Sequence, residues 1–179
     1  VINVSSPNTP NLRELQKDED LARIITEVQK YSGEKPVLIK IAPDLEDMQI
    51  RSIVDTARGL DCAGIIATNT TTKRPEESGL MLETGGLSGS PLRSRSTEII
   101  RLIADHTDGE WPIIGVGGIS TSEDAWEKIT NGASLVQIYS AMVFKGASVI
   151  KEIVNGLDKK LKKEGLDNLN QAVGLARRD

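Results

Sequence analysis

The chain has 179 residues, of which 38% are apolar and 27% charged, with a formal net charge of -4. That length suffices for one globular domain with a buried core, and the acidic balance excludes the electrostatic footprint of a nucleic-acid binder. A single cysteine, Cys62, excludes an internal disulfide and a cysteine-based metal site, and no run of about 18 apolar residues marks a membrane span.

The chain opens on Val1-Ile2-Asn3-Val4, a buried-strand pattern with no leading turn, so it reads as a fragment that begins at a strand. A polar turn, Ser5 to Pro10, follows. Acidic Asp18 to Asp20 then precede Leu21, Ile24, Ile25 and Val28, which fall on one helical face. The second strand is expected at Val37 to Ile41, with a helix carrying Ile50, Ile53, Val54 and Ala57 after it. The third is expected at Ala63 to Ala67, followed by a stretch from Thr70 to Ser96 that is long for a compact domain, with a disordered tip around Arg74 to Ser78 as one reading. The fourth, Ile113 to Val116, leads to a helix opening at Thr121-Ser122-Glu123-Asp124, a capping-box pattern, and running to Asn131-Gly132. The fifth, Leu135 to Ile138, precedes a short helical turn from Tyr139-Ser140 to Lys145-Gly146 and a last helix with Val149, Ile150, Ile153, Val154, Leu157 and Leu161. Every strand is apolar on both faces, as parallel strands covered by helices require. Strict alternation over five units argues an all-parallel α/β sheet, and periodicity alone leaves a doubly wound sheet and a closed barrel both open. No linker divides the chain, so residues 1–179 read as one domain.

All five strand ends are polar or rich in glycine. They carry Asn3 to Pro10, Lys40 to Asp44, Thr68 to Thr72, Gly115 to Ser120, and Gln137 to Ala141. Gly117-Gly118 and Tyr139-Ser140, on the last two strands, suit a phosphate held by free backbone N–H groups and a helix N-terminus. A glycine pair alone is a weak sign, since it can serve only to make a tight turn, but two such loops on the last two strands favour the phosphate reading. Lys40, inside Val37 to Ile41, is costly on a buried strand unless it serves a partner, and an ammonium beside a flavin ring would stabilise the reduced, anionic ring. Asn3 and Asn69 present both donors and acceptors, suited to a flat heterocycle. The only histidine, His106, sits at a helix end and reads as a surface residue. Cys62, Trp111 and Trp126 read as packing residues, and Lys159, Lys160, Lys162 and Lys163 as a solvated helix face. No metal-ligand set stands out.

Six motifs, NVSSPNT at Asn3 to Thr9, KIAPD at Lys40 to Asp44, TNTT at Thr68 to Thr71, ETGGLSG at Glu83 to Gly89, IGVGGI at Ile114 to Ile119 and GASLVQIYS at Gly132 to Ser140, resemble the dihydroorotate dehydrogenase family over essentially the whole chain. The resemblance implies an FMN-binding (β/α)8 TIM barrel, of which these five units would be the fourth to eighth and the C-terminal part. A serine at Ser6, where soluble members carry cysteine, is similar to the quinone-dependent class 2, membrane-associated enzymes. The implied reaction is oxidation of dihydroorotate to orotate in de novo pyrimidine (UMP) biosynthesis, with Ser6 as base and Thr9 as a candidate proton relay. By the same resemblance Asn3, Lys40, Thr68, Gly89, Gly117, Gly118, Tyr139 and Ser140 would bind FMN. Asn3, Asn8, Asn69 and Thr70 would bind the substrate ring. The missing N-terminal half of the barrel, and an N-terminal segment that contacts the membrane and its quinone, would lie outside this chain, which alone would be inactive. The wording of the C-terminal part is similar to bacterial members, implying a peripheral inner-membrane protein on the cytoplasmic face. The mitochondrial inner membrane is the alternative. Alternative functions are another FMN-dependent barrel oxidoreductase or an inactive phosphate-ligand-binding barrel fragment.

Overall fold

Four of the five apolar runs become strands of three or four residues, and the polar residues after each run end it. The structure, a computed structural model, describes residues 1–74 and 84–177. Its strands are β1 (Ile2–Asn3), β2 (Leu38–Ile41), β3 (Gly64–Ala67), β4 (Ile113–Val116) and β5 (Leu135–Gln137), all parallel and ordered β1-β2-β3-β4-β5. A doubly wound sheet would reverse its strand order at a switch point. This order never reverses, so the helices gather on one face and the sheet is one arc of a (β/α)8 barrel.

The helices are α1 (Asp18–Ser32), α2 (Asp47–Gly59), α3 (Arg93–His106), α4 (Ser122–Thr130), α5 (Ser140–Lys145), α6 (Ser148–Glu164) and α7 (Leu169–Ala172), with 3-10 turns at Leu12–Gln16, Ser90–Leu92 and Leu175–Arg177. Three acids in the first turn of α1 complement the helix dipole. Capping boxes open α2 at Glu46 and Gln49 and α4 at Thr121 and Asp124. Among the described residues, no helix is long and apolar enough to cross a membrane.

Register separates the two faces of the sheet. Ile39, Ile65 and Ile113 are aligned, as are Ile41, Ala67 and Gly115, and these residues bury against the helices. The main core joins them to Leu21 and Ile25 of α1, Ile50, Ile53 and Val54 of α2, and Ile99, Ile100 and Ile103 of α3. A second cluster packs Ala125 and Ile129 of α4 against Val149, Ile153 and Leu157 of α6. The other face carries Asn3, Lys40, Ile114 and Val116, with Asn3 beside Lys40 in register.

This arrangement corrects the expectation that every strand is buried on both faces. Only β3 is buried throughout; β2 and β4 alternate between buried and half-buried, and Leu135 of β5 is 61% exposed. Helices cover one face only, so the opposite side chains of the outer strands stay open. The long third connection is also shorter than expected. Ser90 and Pro91 open a 3-10 turn that runs into α3 at Arg93, three residues before Ser96. Residues 75–83, which include most of the expected tip and Glu83 of the glycine-rich motif, lie outside the described residues.

The end of the barrel opposite the strand C-termini holds Cys62 and Trp111, two of the residues read as packing. Cys62 is buried and accepts Trp111 Nε1–H on its carbonyl at 2.9 Å. His106 closes α3, its Nε2 2.7 Å from Asp55 and its Nδ1 3.1 Å from Arg51 on α2. Because helices run antiparallel to the strands, this C-terminal helix end lies away from the strand C-termini. The lysine-rich face of α6 is mostly solvated, but Lys160 is half-buried, 6.0 Å from the Trp126 ring and 3.4 Å from Glu123.

Candidate functional site

Side chains after β1 and β3 meet where the two strands end. Asn3 Oδ1 accepts from Ser5 Oγ at 2.8 Å and from Asn69 Nδ2 at 3.3 Å, while Asn69 Nδ2 also donates to Ser5 Oγ at 3.0 Å. Asn69 Oδ1 accepts from the Thr70 backbone at 2.7 Å. The two amides are thus held by a fully buried serine that neighbours the candidate base. Ser6 itself is half-buried, and its Oγ accepts from Asn8 N at 3.2 Å. That bond closes a local turn. Thr9 is exposed, and among the described residues no hydrogen bond joins it to Ser6.

One residue absent from the sequence reading ties three loops together. Arg13 donates from Nε to the Ser5 carbonyl at 3.0 Å, from Nη1 to Asp44 Oδ2 at 2.7 Å, and from Nη2 to the Thr70 carbonyl at 2.8 Å. These acceptors follow β1, β2 and β3 respectively. Asp44 also accepts from Thr71 Oγ1, from Thr72 N at 2.9 Å and from Thr72 Oγ1 at 3.1 Å. Burial alone would raise the Asp44 carboxyl, but the bonds from Thr71, Thr72 and Arg13 outweigh it and hold the group below the ordinary carboxylate range. Gln16 adds a link, donating to the Arg13 carbonyl at 3.2 Å and accepting from Ala42 N at 3.0 Å.

Gly86 completes this corner. A Cβ built there would stand 1.8 Å from Thr70 Oγ1 and 2.9 Å from Pro7 Cγ, so only glycine lets the third loop lie on the Ser6 turn.

Beside this corner opens a cavity of about 550 Å³ that spans the ends of β2 to β5. Lys40, Thr68, Asn69, Thr70, Gly89, Gly117, Gly118, Tyr139 and Ser140 line it. Every residue expected at a cofactor is therefore on its wall except Asn3, which reaches it only through Asn69. Ser6 and Asn8 lie on the neighbouring corner. Burial lowers the Lys40 ammonium from its ordinary value, and among the described residues it has no hydrogen-bond or ion-pair partner. Thr68 is buried and donates to the Asn69 carbonyl at 2.9 Å. At the far wall Ser88 and Ser140 share a hydrogen bond of 2.7 Å. Among the described residues the N–H groups of Gly117, Gly118, Tyr139 and Ser140 meet no protein acceptor. The cavity thus offers an unpaired cation at one end and free N–H donors at the other, suited to an elongated ligand with a flat, electron-accepting head and an anionic tail. Among the described residues no group of His, Cys, Asp and Glu could hold a metal ion.

Comparison with known proteins agrees in sequence and in fold. A family model described as Dihydroorotate dehydrogenase matches residues 1–161. The chain is 50% identical to the dihydroorotate dehydrogenase (quinone) of Trichodesmium erythraeum (strain IMS101), with 98% of this chain and 49% of that protein covered. It is likewise 50% identical to the protein of the same description from Crocosphaera subtropica (strain ATCC 51142 / BH68), with the same shares covered. The crystal structure of DHODH in complex with ferulenol from Eimeria tenella superposes with a TM-score of 0.92 at 38% identity, over 99% of this chain and 54% of that one. The chain spans about half the length of the curated relatives it matches.

Proposed function

Since the chain belongs to the dihydroorotate dehydrogenase family, we propose that the protein carrying it oxidises dihydroorotate to orotate in de novo pyrimidine biosynthesis. The observation that carries this reading is the junction of two sites at the strand ends: the Ser6 corner, with its paired amides, and the elongated cavity headed by Lys40. FMN fits that cavity, because the free N–H groups of Gly117, Gly118, Tyr139 and Ser140 match a phosphate and Lys40 matches the electron-rich edge of the ring. When bound it supplies the acceptor for the substrate's hydride, with a membrane quinone as final electron acceptor.

The chain's own residues then have distinct tasks. Asn3, Asn8, Asn69 and Thr70 hold the flat substrate ring through amide and hydroxyl contacts that carry no net charge. Ser6 takes the C5 proton as the C6 hydride departs. A serine hydroxyl is a weak base, so its task depends on placement, and Arg13 supplies that by fixing the Ser5 carbonyl against Asp44 and Thr70. Half-exposure of Ser6 lets water carry the proton away. Lys40 stabilises negative charge that develops on the acceptor. Gly89 and Thr68 shape the wall between the two ends.

Residues 1–179 act as one unit in this reading, and a further barrel half meets the open edges of β1 and β5. The quinone approach and the membrane contact belong to that further part, at the cytoplasmic face of a bacterial inner membrane. The test is anaerobic mixing of the intact, FMN-loaded protein with dihydroorotate, followed by flavin absorbance, in wild type and Ser6→Ala. Bleaching that becomes at least about 100-fold slower in Ser6→Ala supports both reaction and base. Wild-type protein that fails to bleach would discard the substrate assignment.

A further inference from the structure

Asp124 and Lys128 stand one turn apart on α4, and both reach the first turn of α3. Asp124 Oδ1 accepts from Arg93 Nη1 at 2.7 Å, and Lys128 Nζ donates to the Arg93 carbonyl at 2.7 Å and to Thr97 Oγ1 at 2.6 Å. The other Asp124 oxygen is turned to the loop after β4. It accepts from Ser120 N at 3.0 Å, Ser120 Oγ at 3.1 Å and Thr121 N at 3.0 Å. Gly118 also meets Arg93, where a Cβ would stand 2.5 Å from Arg93 Cβ and 2.6 Å from its Cα. One carboxylate, only 5% exposed, therefore clasps the glycine loop to the start of α3.

The clasp decides which loop N–H groups remain free. Asp124 takes up the two donors that end the loop, at Ser120 and Thr121. The preceding donors, Gly117 and Gly118, are left without a protein acceptor on the cavity wall. We propose that Asp124 is a positioning residue for the phosphate arm of the flavin: it does not touch the ligand, but it holds the Gly117–Gly118 loop with its free N–H groups presented to the phosphate. This rests on the FMN reading above.

Charge alone predicts the opposite effect of removing this carboxylate. A negative group behind a phosphate site repels the phosphate, so Asp124→Asn should tighten binding if electrostatics governed. If position governs, the same change weakens binding of the phosphate arm alone.

The experiment compares equilibrium binding of FMN and of riboflavin, which lacks the phosphate, to the apo form of the intact protein by flavin fluorescence. Asp124→Asn is expected to lower the preference for FMN over riboflavin about tenfold while riboflavin affinity stays within about twofold. Arg93→Lys, which keeps the positive charge but loses the guanidinium geometry that closes the clasp at its other end and leaves the Ser120 and Thr121 bonds in place, is expected to lower it about threefold. The second variant keeps the test decisive if the first does not fold. An unchanged or increased preference, or equal losses for both ligands, overturns the proposal. Wild-type protein that binds FMN and riboflavin equally overturns the phosphate site and the proposal with it, while leaving flavin binding standing. No flavin binding at all defeats the functional reading instead.

Discussion

Among the described residues Lys128 is the largest side chain with no exposed surface, and its charge state sets a measurable slope of stability with pH. Burial pushes its ammonium down to about 8 from an ordinary 10.5; Glu127 opposes the shift, Arg93 adds to it and Asp124 opposes it. Its two acceptors, the Arg93 carbonyl and Thr97 Oγ1, need only two N–H donors. A neutral amine has two, so deprotonation costs neither bond. Between pH 8 and 10.5 the unfolded chain keeps this proton and the folded chain does not, so stability rises with pH across that window. Below it both states are protonated, and a penalty of about 3 kcal/mol is present in full. Lys128→Met abolishes the titration. The stability of wild type relative to the variant should therefore rise by about 2 to 3 kcal/mol from pH 7 to pH 10. Urea denaturation of both proteins at each pH unit measures this, and other titrating groups, including the buried Cys62 thiol, cancel in the difference. Stability curves that run parallel over this range would refute the assignment of a shifted, buried ammonium.

Three further outcomes follow from the strand-end loops. Arg13→Met should slow flavin bleaching by dihydroorotate about 100-fold, the cost of misplacing a reacting group by about 1 Å, with FMN affinity within about twofold of wild type; stopped-flow absorbance and flavin titration check the two halves. Gly86→Ala forces a methyl group onto Thr70 and Pro7, so orotate affinity should fall at least about tenfold and thermal stability by about 1 to 3 kcal/mol, measured by orotate titration and by melting. Lys40→Met removes the cation at the head of the cavity and should lower the two-electron flavin potential by about 30 mV or more, equivalent to about 1.4 kcal/mol, in a spectroelectrochemical titration.

Much of this architecture can be read from local pattern. Strand ends are legible because apolar runs such as Val37 to Ile41 stop at proline, glycine or a run of polar residues, and the α4 capping box is legible because its partners are three residues apart. Periodicity could not separate a barrel arc from a doubly wound sheet, since both require the same apolar strands; strand order, a long-range property, makes the distinction. Nor could it foresee that Leu135 is exposed, because hydrophobicity states a preference for burial and not whether a partner layer is present. The early start of α3 at Arg93 was hidden by a helix start that carries no side-chain cap of its own.

The site divides along the same line. Asn3, Lys40, Asn69, Gly118 and Ser140 are legible from their place at a strand end, which in a barrel is also a place at the mouth. Arg13 and Lys128 are not, because each acts on residues far along the chain: Arg13 on Asp44 and Thr70, 31 and 57 positions away, and Lys128 on Arg93, 35 positions away. A lysine on a helix reads as solvated by default. What reverses that here is the crossing of α3 over α4, which buries the stem and offers the ammonium the Arg93 carbonyl and the Thr97 hydroxyl. One weak local sign was present. Lys128 stands between Ala125 and Ile129, both on the buried face, and four residues after Asp124, so helical geometry already aimed both charged groups at the same neighbour. A charged pair at that spacing on an apolar face is stable only if the neighbouring element supplies both a donor and acceptors, and Arg93 supplies the guanidinium for Asp124 and the carbonyl for Lys128.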